Sequence, residues 1–600
     1  MKRTPPPRYA PRDREYPSPP PRGDRPAPAT VTPPPEGLRG ILRVVNGLSY
    51  AAYKRILGRH AVGEFEVVVD RIPPDPCAGQ ARVRLVCDRA KAHLPPELVS
   101  SRSRRIGTED YLARGAADAL ESQVRRGGNA PPGTGRISLE PIGPAMLERG
   151  SCRITATSIE LRLLVDLPAA GRRVSGLEAE ELFFTDLQRL ATAAVLFPAR
   201  RAEEAARHAD AAEDHEALQA EIASRGLVAF VADGSLLPRA GGEDAGPRRD
   251  GREVPFESPE SLAVTVRLPH AGVVRGMGIP AGVTVIVGGG FHGKSTLLDA
   301  IVSGVHPHRP GDGRELVATC LEAVAVRSEN GRSVRRVDIS AFLAELPSGE
   351  AAADFSAERA SGSTSLAASI VEALEAGARL LLMDEDTSAT NFLIRDGRMQ
   401  RLVPRPLEPI VPYLDRVKEV HRRFGVSTLL VTGGSGDYLE AADTVILMRG
   451  YRAEDVTARA REVVSATRSA RIAEAVPAMR PPAARQPSVT VPEGPPPRLG
   501  LRGPRGLRIG DETVDLVAVE PIEETGQVRA LAFLLREAAR RMEAGKDLAS
   551  LVREIDGWLD SEGLDALDPP AAYDLSRPRR FEIAGAINRW RPVAFRPAGR

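Results

Sequence analysis

Residues 288–295 read Gly-Gly-Gly-Phe-His-Gly-Lys-Ser, and this run constrains the fold of the 600-residue chain more than any other feature. It fits the phosphate-loop pattern G-x-x-x-x-G-K-[S/T]. An apolar run at 283–287 precedes it, and apolar residues with helical spacing follow it over 297–301. A strand, a glycine loop and a helix in this order bind phosphate, because the loop amides and the helix N-terminus both favour an anion. The sequence therefore predicts a site for a nucleoside triphosphate.

The residues of this loop have separate expected roles, with ATP and Mg²⁺ as the expected ligands. The Lys294 ammonium can span the β and γ phosphates, and the Ser295 hydroxyl can bind Mg²⁺. The residues that we expect to contact the nucleotide here are Gly288, Gly289, Gly290, Phe291, His292, Gly293, Lys294, Ser295 and Thr296.

A second apolar run, at 378–383, ends in the acid pair Asp384 and Glu385. A strand that ends in two carboxylates is typical of nucleotide hydrolases, where it lies beside the phosphate loop. Asp384 can hold Mg²⁺ through its water shell, and Glu385 can polarise the attacking water. Lys294 and Glu385 are therefore predicted to be catalytic, and Ser295 and Asp384 to bind the metal.

Two further turns extend the predicted site. Ser361, Gly362 and Ser363 begin an apolar helix, and small hydroxyl residues at a helix N-terminus can bind an anion. Taken alone, this turn is better interpreted as a helix cap without a ligand. The loop 432–437 follows another apolar run and includes Ser435, which we predict to be a catalytic γ-phosphate sensor. The order of these motifs is that of ATPases of the ATP-binding-cassette class.

Composition excludes some classes of protein and does not identify a partner. The net charge is +2, so a nucleic-acid surface would have to be a local patch. The four cysteines form no disulfide framework, and no window reaches the ~18 apolar residues that span a bilayer. We expect a cytoplasmic protein with no membrane part.

The expected fold class is α/β, with a cassette-type phosphate-loop ATPase core between an N-terminal α+β domain and a C-terminal α+β extension. Proline-rich composition at 1–36 and at 480–506 sets two of the boundaries. The predicted segments are a disordered arm at 1–36, an N-terminal domain at 37–254, the ATPase core at 255–450, a helical segment and proline-rich linker at 451–506, and a C-terminal domain at 507–600.

The chain resembles the predicted ATPases of the ABC class, soluble proteins related to a trypanosomal mitochondrial RNA-editing-associated ATPase. Strings inside and outside the core carry the resemblance: 288–296, 311–315, 360–365, 382–392, 433–438, 167–173, 226–230, 577–580 and 587–589. The resemblance implies that residues 288–296 form Walker A, that Ser361, Gly362 and Ser363 form the signature, and that Asp384 and Glu385 form Walker B.

The chain departs from transporter cassettes at the signature, at the switch histidine and at the glutamine loop. The signature reads S-G-S-T, and Ser435 or Asp437 stands where a histidine is usual, so hydrolysis is expected to be slow. The residues Asp312, Arg314 and Glu315 are candidates for the glutamine loop, and a purely structural turn fits them equally well. His270 and Phe256 are candidates for stacking on adenine, although a core or surface role fits them better.

Cassette ATPases complete each site across a dimer, so one phosphate loop per chain implies a second copy of the same chain with ATP at the interface. Two basic clusters suggest RNA or single-stranded DNA as a possible partner. One is at 101–105, and the other combines arginines with aromatics: Arg577, Arg579, Arg580, Phe581, Arg589, Trp590, Arg591 and Phe595. A solvated basic face with an aromatic core stripe is the alternative. The predicted function is a homodimeric ATPase that acts on nucleic acid. A nucleotide-gated scaffold with very slow turnover ranks second, and a small-molecule phosphotransferase third.

Overall fold

The computed structural model describes residues 37–127, 136–241, 244–344, 349, 351–467, 469–472, 474, 477–490, 497–542 and 545–597. The arm predicted at 1–36 lies outside the described residues. The described chain combines helices with parallel and antiparallel sheets, which confirms the predicted α/β class.

The N-terminal domain packs helices against one antiparallel sheet. Its elements are α1 (Gly37–Val45), β1 (Gly58–Val62), β2 (Phe65–Arg71), β3 (Ala81–Asp88), α2 (Arg89–Ala92), α3 (Arg102–Gly127), β4 (Ile137–Ser138), β5 (Cys152–Ile154), β6 (Ser158–Val165), β7 (Ala169–Ala170), β8 (Arg173–Val174), α4 (Gly176–Glu181) and α5 (Leu187–Val195). The six-stranded sheet has the order β1-β2-β3-β6-β4, and β5 also pairs with β6. In β3 every second residue is buried, as expected of a strand with one face on the core.

In the part of the chain that the structure describes, the central region contains two main sheets, two two-stranded sheets and the helices that pack with them. Its elements are α6 (Ala199–Ser224), β9 (Leu227–Ala232), β10 (Arg239–Gly241), β11 (Asp244–Pro247), β12 (Ala263–Leu268), β13 (Gly272–Pro280), β14 (Val283–Val287), α7 (Lys294–Ser303), β15 (Val317–Thr319), β16 (Ala323–Ala325), β17 (Val334–Val337), β18 (Phe355–Ala357), α8 (Gly362–Glu375), β19 (Leu380–Asp384), α9 (Thr390–Leu393), α10 (Gly397–Leu402), α11 (Val417–Phe424), β20 (Ser427–Val431), β21 (Thr444–Arg449), β22 (Arg452–Asp455) and α12 (Thr457–Ala466).

The larger of these sheets has six strands in the order β16-β19-β20-β14-β21-β22. Neighbouring strands run parallel except for β21 and β22. The central strands β14, β19 and β20 are apolar runs because both faces of a parallel sheet are covered. Ile286 of β14 and Asp384 of β19 both pair with Val431 of β20, so these three strands end at the same level.

The smaller sheet is antiparallel, with the order β12-β13-β9-β15. Because β9 pairs with both β13 and β15, residues 227–232 belong to the ATPase core, and the structure differs here from the boundary predicted at residue 254. Helix α6 packs on this sheet with its apolar residues Leu218 and Ile222.

The C-terminal part consists of β23 (Arg485–Ser488), β24 (Leu499–Leu501), β25 (Gly506–Ile509), β26 (Glu512–Asp515), α13 (Thr525–Arg541), α14 (Leu548–Glu562), α15 (Arg580–Arg589) and β27 (Ala594–Pro597). Strand β23 falls in the segment predicted as a linker, yet it pairs with β27 at the end of the chain. Arg485 holds this segment in place, since its guanidinium donates to Glu375 of α8 at 2.6 Å. Helices α13, α14 and α15 share one apolar core with α8.

A buried ion network joins the N-terminal domain to the C-terminal domain. The Arg149 guanidinium contacts Asp110 and donates to Glu524 at 2.9 Å, and Glu524 also accepts from the Ser576 hydroxyl. Burial raises the pKa of Asp110, but Arg114 and Arg149 outweigh it and hold that pKa well below its usual range. Asp110 is therefore charged, and Arg149 is a shared partner of Asp110 and Glu524.

We expect Arg149→Ala to destabilise the protein by about 3–5 kcal/mol, because it leaves buried Glu524 without its arginine partner and Asp110 with Arg114 alone. Arg43→Ala is the matched control, since the Arg43 side chain pairs with Glu180 at 3.0 Å but is 62% exposed. Urea denaturation followed by circular dichroism measures both variants. Equal midpoints for the two variants would show that the network does not hold the domains together.

Candidate active site

The phosphate loop connects β14 to α7 at the carboxyl edge of the parallel sheet. Its backbone needs glycine at both ends. Gly288 has φ +146°, and a Cβ there would lie 2.3 Å from the Met448 carbonyl oxygen. Gly293 has φ +93°, and a Cβ there would lie 3.1 Å from the Tyr451 ring. The loop therefore packs tightly against the end of β21, as a backbone that cradles phosphate must.

Lys294 and Ser295, the first residues of α7, connect the loop to the neighbouring strands. The Lys294 ammonium donates to the carbonyl oxygens of Gly288 and Gly289 at 2.9 and 2.8 Å. The Ser295 hydroxyl donates to Asp384 Oδ2 at 3.0 Å. A hydroxyl and a carboxylate in contact at a helix N-terminus are the oxygen donors that Mg²⁺ prefers when a phosphate supplies further ligands.

Glu385 is held by the loop that follows β20. Its Oε2 accepts from the Thr432 hydroxyl at 2.7 Å and from the amides of Gly433 and Gly434 at 2.8 and 3.1 Å. Partial burial raises the pKa of Glu385, but these donors and the Lys294 charge outweigh it and lower that pKa below its ordinary value. Glu385 is therefore an ionised carboxylate of fixed orientation.

The Ser361 turn has the features of a helix cap. The Ser361 oxygen accepts from the Thr364 amide at 3.4 Å, and Ser361 itself is exposed. A Cβ on Gly362 would lie 2.5 Å from Ser328 Oγ, so the turn packs closely against the segment after β16. The Ser363 hydroxyl donates to Asn391 Oδ1 at 2.9 Å, which ties the turn to the segment after Glu385.

Family models match three consecutive stretches of the chain. The model described as the N-terminal part of an ATPase of the ABC class covers 36–197, the P-loop domain of the ABC ATPases covers 201–482, and the MRB1590 C-terminal domain covers 498–596. Together they span nearly the whole described chain in the expected order. This chain belongs to the ABC-class ATPases.

Two further similarities are more limited. A protein of Methanocaldococcus jannaschii, described as uncharacterized protein MJ1628, is 31% identical over 239 residues, which are 38% of this chain and 52% of that protein. The chain thus spans about half the length of this curated relative. The ADP conformation of MJ1267, an ATP-binding cassette of an ABC transporter, is 14% identical over 32% of this chain and 87% of that one. Its TM-score of 0.22 is too low to support a structural inference.

In this ABC-class ATPase, hydrogen bonds join Ser295 to Asp384 and Glu385 to Thr432 of the loop 432–437. The role predicted for Ser435 as a γ-phosphate sensor stays a prediction. The Ser435 amide donates to the Thr432 hydroxyl at 3.3 Å, and its own Oγ is buried with no partner in the described part of the chain. Thr432 contacts Glu385 instead. The sequence signal that could have identified Thr432 was a threonine directly after the apolar run of β20.

The candidates for the glutamine loop lie elsewhere and serve as a structural brace. Asp312 accepts from Arg239 at 2.8 Å, and Arg314 donates to the Leu237 carbonyl at 2.6 Å. The strand beside Walker B is β16, and it leads into Arg327 and Ser328. The Ser328 amide donates to the Thr387 carbonyl at 3.0 Å, so this segment, rather than 312–315, adjoins Walker B.

Neither candidate for adenine stacking lies at the loop. Phe256 is buried in the core around Leu237, and the His270 ring contacts Glu213 at 2.7 Å. The aromatic residue beside the loop is Tyr451, which is 49% exposed and lies over Gly293. The turn before it is fixed by Gly450, whose amide donates to His292 Nδ1 at 2.8 Å. Tyr451 follows β21, and β21 lies on the opposite side of β14 from Asp384. We therefore expect Tyr451 to stack on the base of a bound nucleotide.

The arginines predicted to contact nucleic acid form internal ion pairs. Arg577 pairs with Asp556 at 2.8 Å, Arg579 with Glu582 at 2.7 Å, and Arg589 with Glu329 at 3.0 Å. The interleaved aromatics Phe581, Trp590 and Phe595 are buried. These arginines are therefore paired within the chain rather than solvated, apart from exposed Arg591 and partly exposed Arg580, and a nucleic-acid contact at this cluster stays a prediction.

The second basic cluster is paired as well. Arg102 contacts Asp560 at 2.7 Å, Arg104 contacts Asp210 at 2.8 Å, and Arg105 contacts Glu109 at 3.3 Å.

Over the described ranges, no helix is long and apolar enough to cross a membrane.

We expect Tyr451→Ala to weaken ATP binding about tenfold or more, because loss of stacking on a base costs ~1–3 kcal/mol. Tyr451→Phe keeps the ring and is the control, with affinity close to that of the wild type. Titration with a fluorescent ATP analogue measures the dissociation constants. If alanine and phenylalanine bind equally well, Tyr451 does not contact the base.

Proposed function

We propose that this ABC-class protein is a cytoplasmic, homodimeric ATP hydrolase that binds MgATP at the phosphate loop. The observation that supports this most is a set of hydrogen bonds at one edge of the sheet. Lys294 donates to the loop carbonyls, Ser295 donates to Asp384, and Glu385 accepts from Thr432. All four cysteines are unpaired, which suits a reducing compartment.

Each residue has a distinct part in the proposed reaction. The loop amides bind the phosphates, and the Lys294 ammonium leaves its two carbonyl partners to contact the β and γ phosphates. Ser295 and Asp384 would hold Mg²⁺, which when bound neutralises charge on the phosphate oxygens. Glu385 accepts a hydrogen bond from the attacking water and orients it. Thr432 and its two neighbouring amides keep the Glu385 carboxylate charged and fixed.

A second copy of the chain is proposed to complete each site. The Ser361 turn presents an exposed hydroxyl and the N-terminus of the 14-residue helix α8, a suitable contact for a γ-phosphate held by the partner. Phe291 supports the same proposal. Its side chain is 98% exposed at the tip of the phosphate loop, and its φ of +62° is unusual for a residue with a Cβ. An exposed aromatic beside the nucleotide suits burial in an interface.

The alternative is a nucleotide-gated scaffold with very slow turnover. The sensor loop 432–437 contains no cationic side chain, which favours slow hydrolysis. Action on RNA or single-stranded DNA remains a proposal from family resemblance alone, since the two arginine clusters that suggested it are paired. Turnover of ATP by the purified protein, with Lys294→Ala as the inactive control, separates the hydrolase from the scaffold.

Thr432→Val removes one donor from Glu385 and tests its proposed role. A carboxylate with a lowered pKa stays ionised as pH falls, so activity is lost only when pH drops through that pKa. We expect the variant to lower kcat and to move the acid limb of the pH–rate profile to higher pH. Thr432→Ser keeps the hydroxyl and should retain the wild-type profile. Superimposable profiles for valine and wild type would remove Thr432 from the mechanism.

Ser361→Arg tests the proposed contact in the partner. The arginine is too large for a γ-phosphate to dock, so ATP-dependent dimerisation should be lost while each subunit still binds nucleotide. Sedimentation velocity with and without ATP measures the dimer, on a Glu385→Gln background that retains bound ATP. Ser361→Thr preserves both cap and hydroxyl and should dimerise. Normal dimerisation of Ser361→Arg would leave only the helix-cap interpretation of this turn.

A further inference from the structure

Arg327 lies level with Asp384 at the carboxyl edge of the parallel sheet. In the register of β16 and β19, Ala325 pairs with Leu382, and the Val326 amide donates to the Leu382 carbonyl at 3.0 Å. Two residues further along the two strands are Arg327 and Asp384. Arg327 therefore follows β16 at the edge that carries the phosphate loop and the acid pair.

Arg327 is also on the same side of the sheet as Asp384. Neighbouring residues of a strand face opposite sides. Ala325 packs against the core that contains α7, and Val326 belongs to the core that contains α8. Arg327, the next residue, is therefore on the α7 side. Asp384 is on this side as well, because its carboxylate accepts from Ser295 in the first turn of α7.

A carboxylate of the C-terminal part holds Arg327 in this structure. The Arg327 guanidinium donates to Glu520, which lies 193 residues further along the chain and shortly before α13. The two side chains are 29% and 24% exposed. A partly exposed ion pair contributes little to stability, so a multiply charged phosphate can compete with this carboxylate for the guanidinium.

The Arg327 side chain has free space beside it. A cavity of about 540 Å³ lies between residues 327–333, Thr387 and residues of β26. The Ser328 amide donates to the Thr387 carbonyl at 3.0 Å, which fixes the backbone of this segment. The Arg327 side chain can therefore change partner by rotation while its backbone stays in place.

Arg505 offers Glu520 a second partner. Within the described ranges, Arg505 Nη1 is buried and has no hydrogen-bond partner. Burial lowers the pKa of Arg505, and the carboxylates of Glu520 and Glu523 act in the opposite direction, so Glu520 is within electrostatic range of this guanidinium. A buried donor without an acceptor is unfavourable. A shift of Glu520 from Arg327 to Arg505 therefore satisfies a donor that is unpaired in this structure.

Few cations are available to a triphosphate at this edge. Among residues 288–295, 327–330, 384–388 and 432–437, only Lys294 and Arg327 have side chains that stay positively charged at neutral pH. Cationic side chains stabilise the charge on a transferred phosphoryl group, and a guanidinium can donate to two phosphate oxygens at once. Arg327 is therefore the available second cation for a γ-phosphate.

We propose that Arg327 exchanges Glu520 for the γ-phosphate of bound ATP, and that Glu520 then pairs with Arg505. This proposal rests on the proposed binding of MgATP at the phosphate loop. ADP has no γ-phosphate, so Arg327 stays with Glu520 when ADP is bound. The exchange distinguishes ATP from ADP, and Glu520 transmits the difference to the C-terminal part.

Calorimetric titration of the full chain, with Mg²⁺ and either a non-hydrolysable ATP analogue or ADP, tests the phosphate contact. We expect Arg327→Ala to weaken binding of the analogue about tenfold or more and to leave the ADP affinity within about twofold of wild type, because only a charge-assisted hydrogen bond to the γ-phosphate is lost. Arg327→Lys keeps the charge and should recover part of the loss. Arg335→Ala is the matched control, because the Arg335 side chain is 24% exposed and pairs with Glu358 at 2.8 Å on β17, so both ligands should bind as in wild type.

A double-mutant cycle tests the exchange of partners. Arg505→Ala removes the second partner of Glu520, so it should weaken binding of the ATP analogue by about threefold or more and leave ADP binding unchanged. In a Glu520→Gln background the same change should have no effect, because no carboxylate then moves to Arg505. Unchanged ADP affinity also shows that each variant is folded.

Equal affinities of wild type and Arg327→Ala for the analogue overturn the proposal, and so does an equal loss of analogue and ADP affinity. An effect of Arg505→Ala that is absent, or that persists in the Glu520→Gln background, overturns the exchange. If Lys294→Ala loses the analogue while Arg327→Ala retains it, this proposal fails and the proposed function stands. If the wild type binds neither nucleotide, both fail.

Discussion

The common register of three parallel strands is the constraint on which the candidate site depends. Val431 pairs with Ile286 on one side and with Asp384 on the other, so β14, β20 and β19 end together. The residues at the ends of these strands therefore lie at one edge of the sheet. There they form the phosphate loop, the loop 432–437 and the acid pair. A slip by one residue would turn each of these side chains to the opposite face of the sheet.

The same edge is connected to the C-terminal part of the chain. The segment after β16 adjoins Walker B through Ser328, and it also forms two ion pairs with distant residues, Arg327 with Glu520 and Glu329 with Arg589. Because α8 shares an apolar core with α13, α14 and α15, it forms one packed unit with the C-terminal part. A movement of α8 between nucleotide states would therefore move this whole unit.

Arginine serves mainly as an internal connector in this structure. Arg149 and Arg485 are buried, the Arg589 side chain is 9% exposed, and each of the three joins segments that are far apart in sequence. A guanidinium suits this use because it is always charged and donates in several directions from one plane. Charge clusters in the sequence consequently say little about which surfaces are electropositive.

The sequence by itself determined the motifs whose chemistry lies in consecutive residues. The phosphate loop, the acid pair after β19 and the cap at Ser361 depend on backbone geometry within a few residues, so residue type and order were sufficient. Only the tertiary structure decided which side chains meet them. Strand order and long-range packing decide that Thr432 contacts Glu385 and that Tyr451 lies over Gly293. They also decide that β9 joins the core sheet and that Arg577 is paired. A contact between residues far apart in sequence is selected by the fold as a whole, and no local pattern encodes it.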